Sequence, residues 1–145
     1  MSPVKDTEIA WLAGLLDGEG SFALGRQFQK DRATYVPNVR VDMTHAETID
    51  RVFDLLGRLS IRGHRFRYER KNPNHRGAEI VSVSRLADVN RLCTLLLPYL
   101  VTKRLNAEVL IAFTAERLAK PHRRNLAEDG TFLGTYTGAE VGYYD

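Results

Sequence analysis

Nine residues near the N-terminus, Leu12-Ala13-Gly14-Leu15-Leu16-Asp17-Gly18-Glu19-Gly20, place two demands on any fold that accommodates them. The stretch from Thr7 to Leu16 consists of good helix formers without proline. Ala10, Gly14 and Gly18 recur at a spacing of four, so they share one helix face. A stripe of small residues lets a second helix approach backbone to backbone, with Trp11, Leu12, Leu15 and Leu16 as apolar surface around it. Asp17 and Glu19 then stand at the helix C-terminus, which already carries about half a negative charge. Two acids there make sense if a divalent cation neutralises them.

The rest of the chain narrows the class. At 145 residues it suits one compact domain, and a hydrophobic share of 43% with 27% charged residues fits a soluble globular protein. No apolar run approaches the roughly 20 residues that span a bilayer. The N-terminus lacks the apolar segment of a secretory signal, so no membrane partner is expected. The lone Cys93 sits in an apolar helical pattern and reads as a core residue in a reducing, intracellular setting. Arginine dominates the basic residues, 16 against 5 lysines, favouring forked recognition of phosphate and guanine. Residues 60–85 hold seven bases against two acids, a concentration that suits a nucleic-acid surface.

Periodicity orders the elements. Ser21 to Gln29 alternates, with Phe22, Leu24 and Phe28 on one face; Lys30-Asp31-Arg32 turns; Tyr35 to Thr44 alternates again, with Val39, Val41 and Met43 inward. Ala46 to Leu59 is a predicted helix, with Thr44 as its cap and Glu47 completing a capping box. A second hairpin sets Arg65, Arg67 and Glu69 against Phe66 and Tyr68, turns at Asn72-Pro73-Asn74 and returns over Ala78 to Ser84, whose buried face stays open. Helices follow at Leu86 to Leu97 and at Thr102 to Leu118, the latter with Leu105, Val109, Ala112 and Phe113 at core spacing. The order αββαββαα predicts an α+β fold: a four-stranded antiparallel sheet, helices on one face, the other face open. The outward residues Gln27, Gln29, Asn38, Arg40, Arg65 and Arg67 then suit base edges in a major groove, with Arg70 and Lys71 beside them.

The run Leu12–Gly20 resembles the signature of the LAGLIDADG homing endonucleases and fills each of its positions, with Leu16 for the usual isoleucine and Glu19 for the final acid, most often Asp. The element order resembles that family's core over residues 7–118. Residues 1–120 are therefore read as an endonuclease domain with a saddle-shaped sheet, and 121–145 as a partly ordered extension. Leu126 to Phe132 echoes the motif's tail, but no apolar helix precedes it, so it is not a second active site.

The resemblance implies a site-specific, metal-dependent cut of double-stranded DNA on a long pseudo-palindromic target, leaving 3′ overhangs. Family members with one motif act as homodimers, and Ala10, Gly14, Asp17 and Gly18 would then face their own copies. Glu19 is assigned as metal ligand, with the Gly20 carbonyl as a backbone ligand. Oxygen donors favour Mg²⁺, with Mn²⁺ as a substitute and Ca²⁺ binding without cleavage. Asp17 serves capping or packing in preference to metal. His45 stands where relatives order a water, able to do the same or to act as a base; Lys103 matches a lysine set near the scissile phosphate. A second basic residue is not matched cleanly: Ile49 falls near its place, and Arg51 is a neighbour.

The alternative is an RNA-splicing maturase, with intron RNA as partner, or a non-cleaving DNA-binding protein on the same fold. Half of an intein endonuclease fits less well, since no splicing-domain sequence is present and Met1 opens the chain. A bacterial or phage-infected cytoplasm is the expected compartment, ahead of an organelle.

Overall fold

A computed structural model describes residues 3–29, 32–69, 71–74 and 77–120, with the backbone alone of Gln29, Arg32, Asn125–Leu126 and Phe132–Gly134. Helix α1 (Asp6–Glu19) begins where the Glu8 carboxylate accepts the Lys5 backbone N–H at 3.2 Å, and it buries Leu12, Ala13 and Leu16. Strand β1 (Gly20–Gln29) leaves the helix by crossing over its last turn. A Cβ at Gly20 would lie 2.8 Å from the Leu16 carbonyl oxygen, so only glycine allows this exit.

Strands β2 (Arg32–Met43), β3 (His64–Tyr68) and β4 (Ala78–Val83) complete an antiparallel sheet in the order β1-β2-β4-β3. The first turn residues, 30 and 31, lie outside the described residues, and β2 starts three residues earlier than its alternation suggests. Helices α1, α2 (Ala46–Arg58) and α3 (Leu86–Leu96) contribute to a single core with one face of this sheet. Phe22, Val39, Val41, Val81 and Val83 meet Leu12, Leu16, Ile49, Val52, Leu56 and Leu92 there. Cys93 is buried in that core, and burial pushes its thiol up to about 12, which makes it unreactive. No helix among the described residues is long and apolar enough to cross a membrane.

Two helix expectations are corrected. The α2 cap is His45, not Thr44: the helix starts at Ala46, as expected, so the residue directly before it is the cap, and Thr48, not Glu47, occupies the third position. The last helix, α4 (Arg104–Ala119), buries Ala107, Leu110 and Thr114, while Leu105 and Val109 are 73% and 54% exposed. The buried hydroxyl of Thr114 explains the rotation. It donates to the Leu110 carbonyl at 2.7 Å and accepts from Asn90 Nδ2 at 3.0 Å, so a polar residue sits inward without an unmet hydrogen bond. Short strands β5 (Asn125–Leu126) and β6 (Phe132–Gly134) pair antiparallel, and the rest of the expected extension lies outside the described residues.

Arg58 near the end of α2 donates to Glu8 at 2.8 and 3.1 Å and to the Pro3 carbonyl at 3.1 Å, joining the start of α1 to the end of α2. These bonds, first Arg58 and then the Lys5 N–H, hold the Glu8 carboxyl down at about 2. The unfolded chain titrates near 4.5, so this stabilisation is complete above that pH and is lost as pH falls toward 2. Urea midpoints should therefore drop across that interval, and Glu8→Gln should flatten the drop; an unchanged profile in the variant would show that the pair does not contribute.

Candidate active site

The C-terminal end of α1, the start of β1 and the turn before α4 converge. Asp17 accepts three backbone N–H groups from that turn: Lys103 at 2.8 Å on Oδ1, and Val101 and Thr102, both at 3.1 Å, on Oδ2. Those bonds, the one from Lys103 foremost, hold its carboxyl below the usual range. Asp17 thus ties the entry to α4 to the end of α1 within its own chain. The same grip turns the Lys103 ammonium back to the end of α1, where it donates to the Leu16 carbonyl at 3.3 Å. A cation there is favoured by the helix dipole, unlike at the start of α4 where the sequence places it.

Glu19, the last residue of α1, is exposed and points out of the same corner. Gly20 pairs with Val41, so Glu19 emerges at the level of Asp42, near where β2 hands over to His45. The His45 ring accepts the Thr48 N–H on Nδ1 at 3.3 Å, with the Thr48 hydroxyl 2.7 Å away. With Nδ1 as acceptor the neutral ring carries its proton on Nε2. In this tautomer the His45 Nε2–H is a hydrogen-bond donor. Ile49 is buried in the core, and Arg51 lies over the Trp11 ring at 5.2 Å, so neither supplies a free cation at this corner.

The exposed side of α1 carries Gly14 and Gly18, with Ala10 half-buried beside them. Among the described residues a Cβ at either glycine would meet nothing within 4 Å, so no contact with them requires glycine there. Among the described residues no group of three or more His, Cys, Asp or Glu is placed to hold a metal. Glu19 is thus one hard oxygen donor, suited to Mg²⁺ or Ca²⁺ but insufficient alone.

The open face of the sheet carries Gln27 on β1 and Asn38 and Arg40 on β2, as expected. Ser82 donates to Asn38 Oδ1 at 2.8 Å, which leaves the Asn38 amide N–H₂ as the group presented outward. Gln29 lies in β1, but its side chain is outside the described part, as is all of Arg70. Lys71 is exposed in the β3–β4 turn, where Asn72 accepts the Asn74 N–H at 3.0 Å.

Arg65 and Arg67 are not on the open face. Arg65 pairs with Val81 and Arg67 with Glu79, on the side that faces the helices. Acids hold them there: Arg65 forms an ion pair with Asp50 of α2, and Arg67 reaches Glu69 at 2.6 Å and Glu79 at 3.5 Å. The open face of β3 carries instead His64, Phe66 and Tyr68, of which Phe66 and Tyr68 are those the sequence pattern sets opposite the outward arginines. No local signal distinguishes the two phases, because the partners Asp50 and Glu79 are remote in sequence.

A family model described as a LAGLIDADG-like domain matches residues 6–96. Among solved structures the chain is similar to the homing endonuclease I-CvuI in complex with its target, at 19% identity over 77% of this chain and 68% of that one, with a TM-score of 0.61. It is similar to the group I intron-encoded homing endonuclease I-CeuI complexed with DNA, at 15% identity over 81% and 56% of the two chains, TM-score 0.56. LAGLIDADG homing endonuclease I-GzeII in complex with a DNA target is a third, at 14% over 79% and 38%, TM-score 0.58. Among curated proteins none matches this sequence.

Asp17→Ala should accelerate amide hydrogen exchange at Val101, Thr102 and Lys103, while Asp17→Asn, which keeps one acceptor oxygen, should do so less. Wild-type exchange in both variants would show that the carboxylate does not hold this turn.

Proposed function

Because the chain belongs to the LAGLIDADG family, by the match over residues 6–96, we propose that it is a site-specific endonuclease cutting both strands of a long pseudo-palindromic DNA duplex as a homodimer. The observation that carries this reading is the build of α1. Two glycines within the helix cost about 1 kcal/mol each and serve no contact with the described residues of the chain. A second α1 packed on Ala10, Gly14 and Gly18 about a two-fold axis explains them, and it brings two copies of Glu19 together. Residues 1–120 then form the cutting unit, with 121–145 an appendage to it.

Glu19 and the Gly20 carbonyl would hold a divalent cation, Mg²⁺ in preference to others, whose charge lowers the pKa of bound water and offsets charge building on the phosphate. Mn²⁺ substitutes for it, and Ca²⁺ supports binding without cleavage. I-CvuI has been solved with DNA in the presence of Mg and of Ca, which supports a hard divalent ion here. Lys103, turned to the same corner by Asp17, offers its ammonium to the scissile phosphate or the departing oxygen. His45, donating from Nε2, orients the attacking water. The open sheet face reads the major groove through Gln27, Gln29, Asn38 and Arg40. Lys71 and Arg70 neutralise phosphate from the β3–β4 turn, and Arg65 and Arg67 do so only after leaving their acids. Hydrolysis staggered across the groove at the two Glu19 corners leaves 3′ overhangs.

Incubation of the purified protein with a randomised duplex library and Mg²⁺ should give a discrete set of cut ends. Glu19→Gln should bind the same sequences and lower cutting by at least about a hundredfold. Binding without any cut product from the wild type would defeat the endonuclease reading.

A further inference from the structure

His64, Phe66 and Tyr68 form a row of rings at every second residue of β3, on the open face beside Ser82 and Ile80. Phe66 and Tyr68 are 38% and 51% exposed, large for apolar groups on a face whose other positions are mainly polar or small. The Arg40 guanidinium lies over the Phe66 ring, 5.8 Å from its centroid, with Asp42 4.0 Å from its Nε. An apolar row beside a forked donor matches one feature of duplex DNA. In the major groove the thymine 5-methyl is the apolar group, and guanine O6 and N7 are the acceptors that arginine takes.

We propose that Phe66 and Tyr68 read thymine methyl groups in the axis-proximal part of each half-site, with Arg40 reading a neighbouring guanine. The inference rests on the duplex-cutting reading and adds a specificity determinant to it. Position follows from register. Phe66 pairs with Ile80 and Ile80 with Asp42, the residue next to Val41, the partner of Gly20. The rings therefore stand at the Glu19 end of the sheet, three strands across, or roughly 14 Å at the usual strand spacing.

Two other occupants fit less well. A partner protein needs about 800 Å² per side, far more than this short row of rings offers. Unpaired bases need flat, uncovered ring faces, whereas Arg40 lies over Phe66 and His64 tilts 36° against it with centroids 5.4 Å apart.

The test is binding, in Ca²⁺, to the duplex enriched from a randomised library, with its thymines replaced one at a time by deoxyuridine. This removes the methyl and keeps the base pair. At one or two axis-proximal positions per half-site the change should weaken wild-type binding about fourfold, the effect of one buried methyl. Phe66→Ala and Tyr68→Ser, checked as folded by circular dichroism, should bind thymine and deoxyuridine alike at those positions. Indifference of the wild type to every replacement would overturn the proposal and leave the endonuclease reading standing, as would discrimination that survives in both variants. Tighter binding to unpaired RNA or DNA of the same sequence would reassign the rings to stacking. Failure to enrich any duplex would overturn both readings.

Discussion

The grip of Asp17 on the turn before α4 is the contact on which the rest of this corner depends. One carboxylate takes the N–H groups of three successive residues, Val101, Thr102 and Lys103, more than eighty positions away in sequence. It ties the entry of α4 to the end of α1, where the Lys103 ammonium donates to the Leu16 carbonyl. The adjacent Gly20 serves the same corner differently, by letting β1 leave directly across the helix it follows. The exposed Glu19 lies between these two constraints. The acids of the motif thus divide: Asp17 is used within the chain, whereas Glu19 is left facing outward.

Electrostatics divides the sheet in a similar way. The basic stretch from 60 to 85 promised a row of DNA-facing arginines, but Arg65 and Arg67 are drawn to the helix side by Asp50 and Glu79. Arginine beside an acid at a partly covered sheet edge gains charge-assisted bonds that outward placement would forgo. The open face keeps Arg40, and the rings of β3 fill the positions those arginines leave.

Much of this architecture was legible in the sequence because burial imposes periodicity. The alternation of Phe22 and Leu24, and of Val39, Val41 and Met43, gave the facing of the first hairpin, and the proline-free run of helix formers from Thr7 to Leu16 gave α1. Where the periodic signal was balanced, the reading failed. In β3 arginines and rings alternate on a short edge strand, and only the remote acids select a phase. In α4 apolar residues occur all around the helix, and the Asn90–Thr114 bond, invisible locally, decides which face turns in. The cap of α2 slipped by one residue because His45 and Thr44 are both able to cap. For the candidate site, Glu19 was named from the motif and Lys103 from the resemblance, whereas the hold of Asp17 on the turn before α4 needed the fold.

A chain with one outward acid and a glycine stripe that no contact among the described residues requires is half of a symmetric device on this account. The direct test uses a dimer in which one chain is wild type and its partner carries Glu19→Gln, joined by a linker so that no symmetric pair forms. With Mg²⁺ and the selected duplex, this asymmetric pair should nick one strand or fail to cut, while a linked wild-type pair cuts both. Double-strand cleavage by the asymmetric pair at the wild-type rate would contradict the claim that each chain supplies half of the active centre.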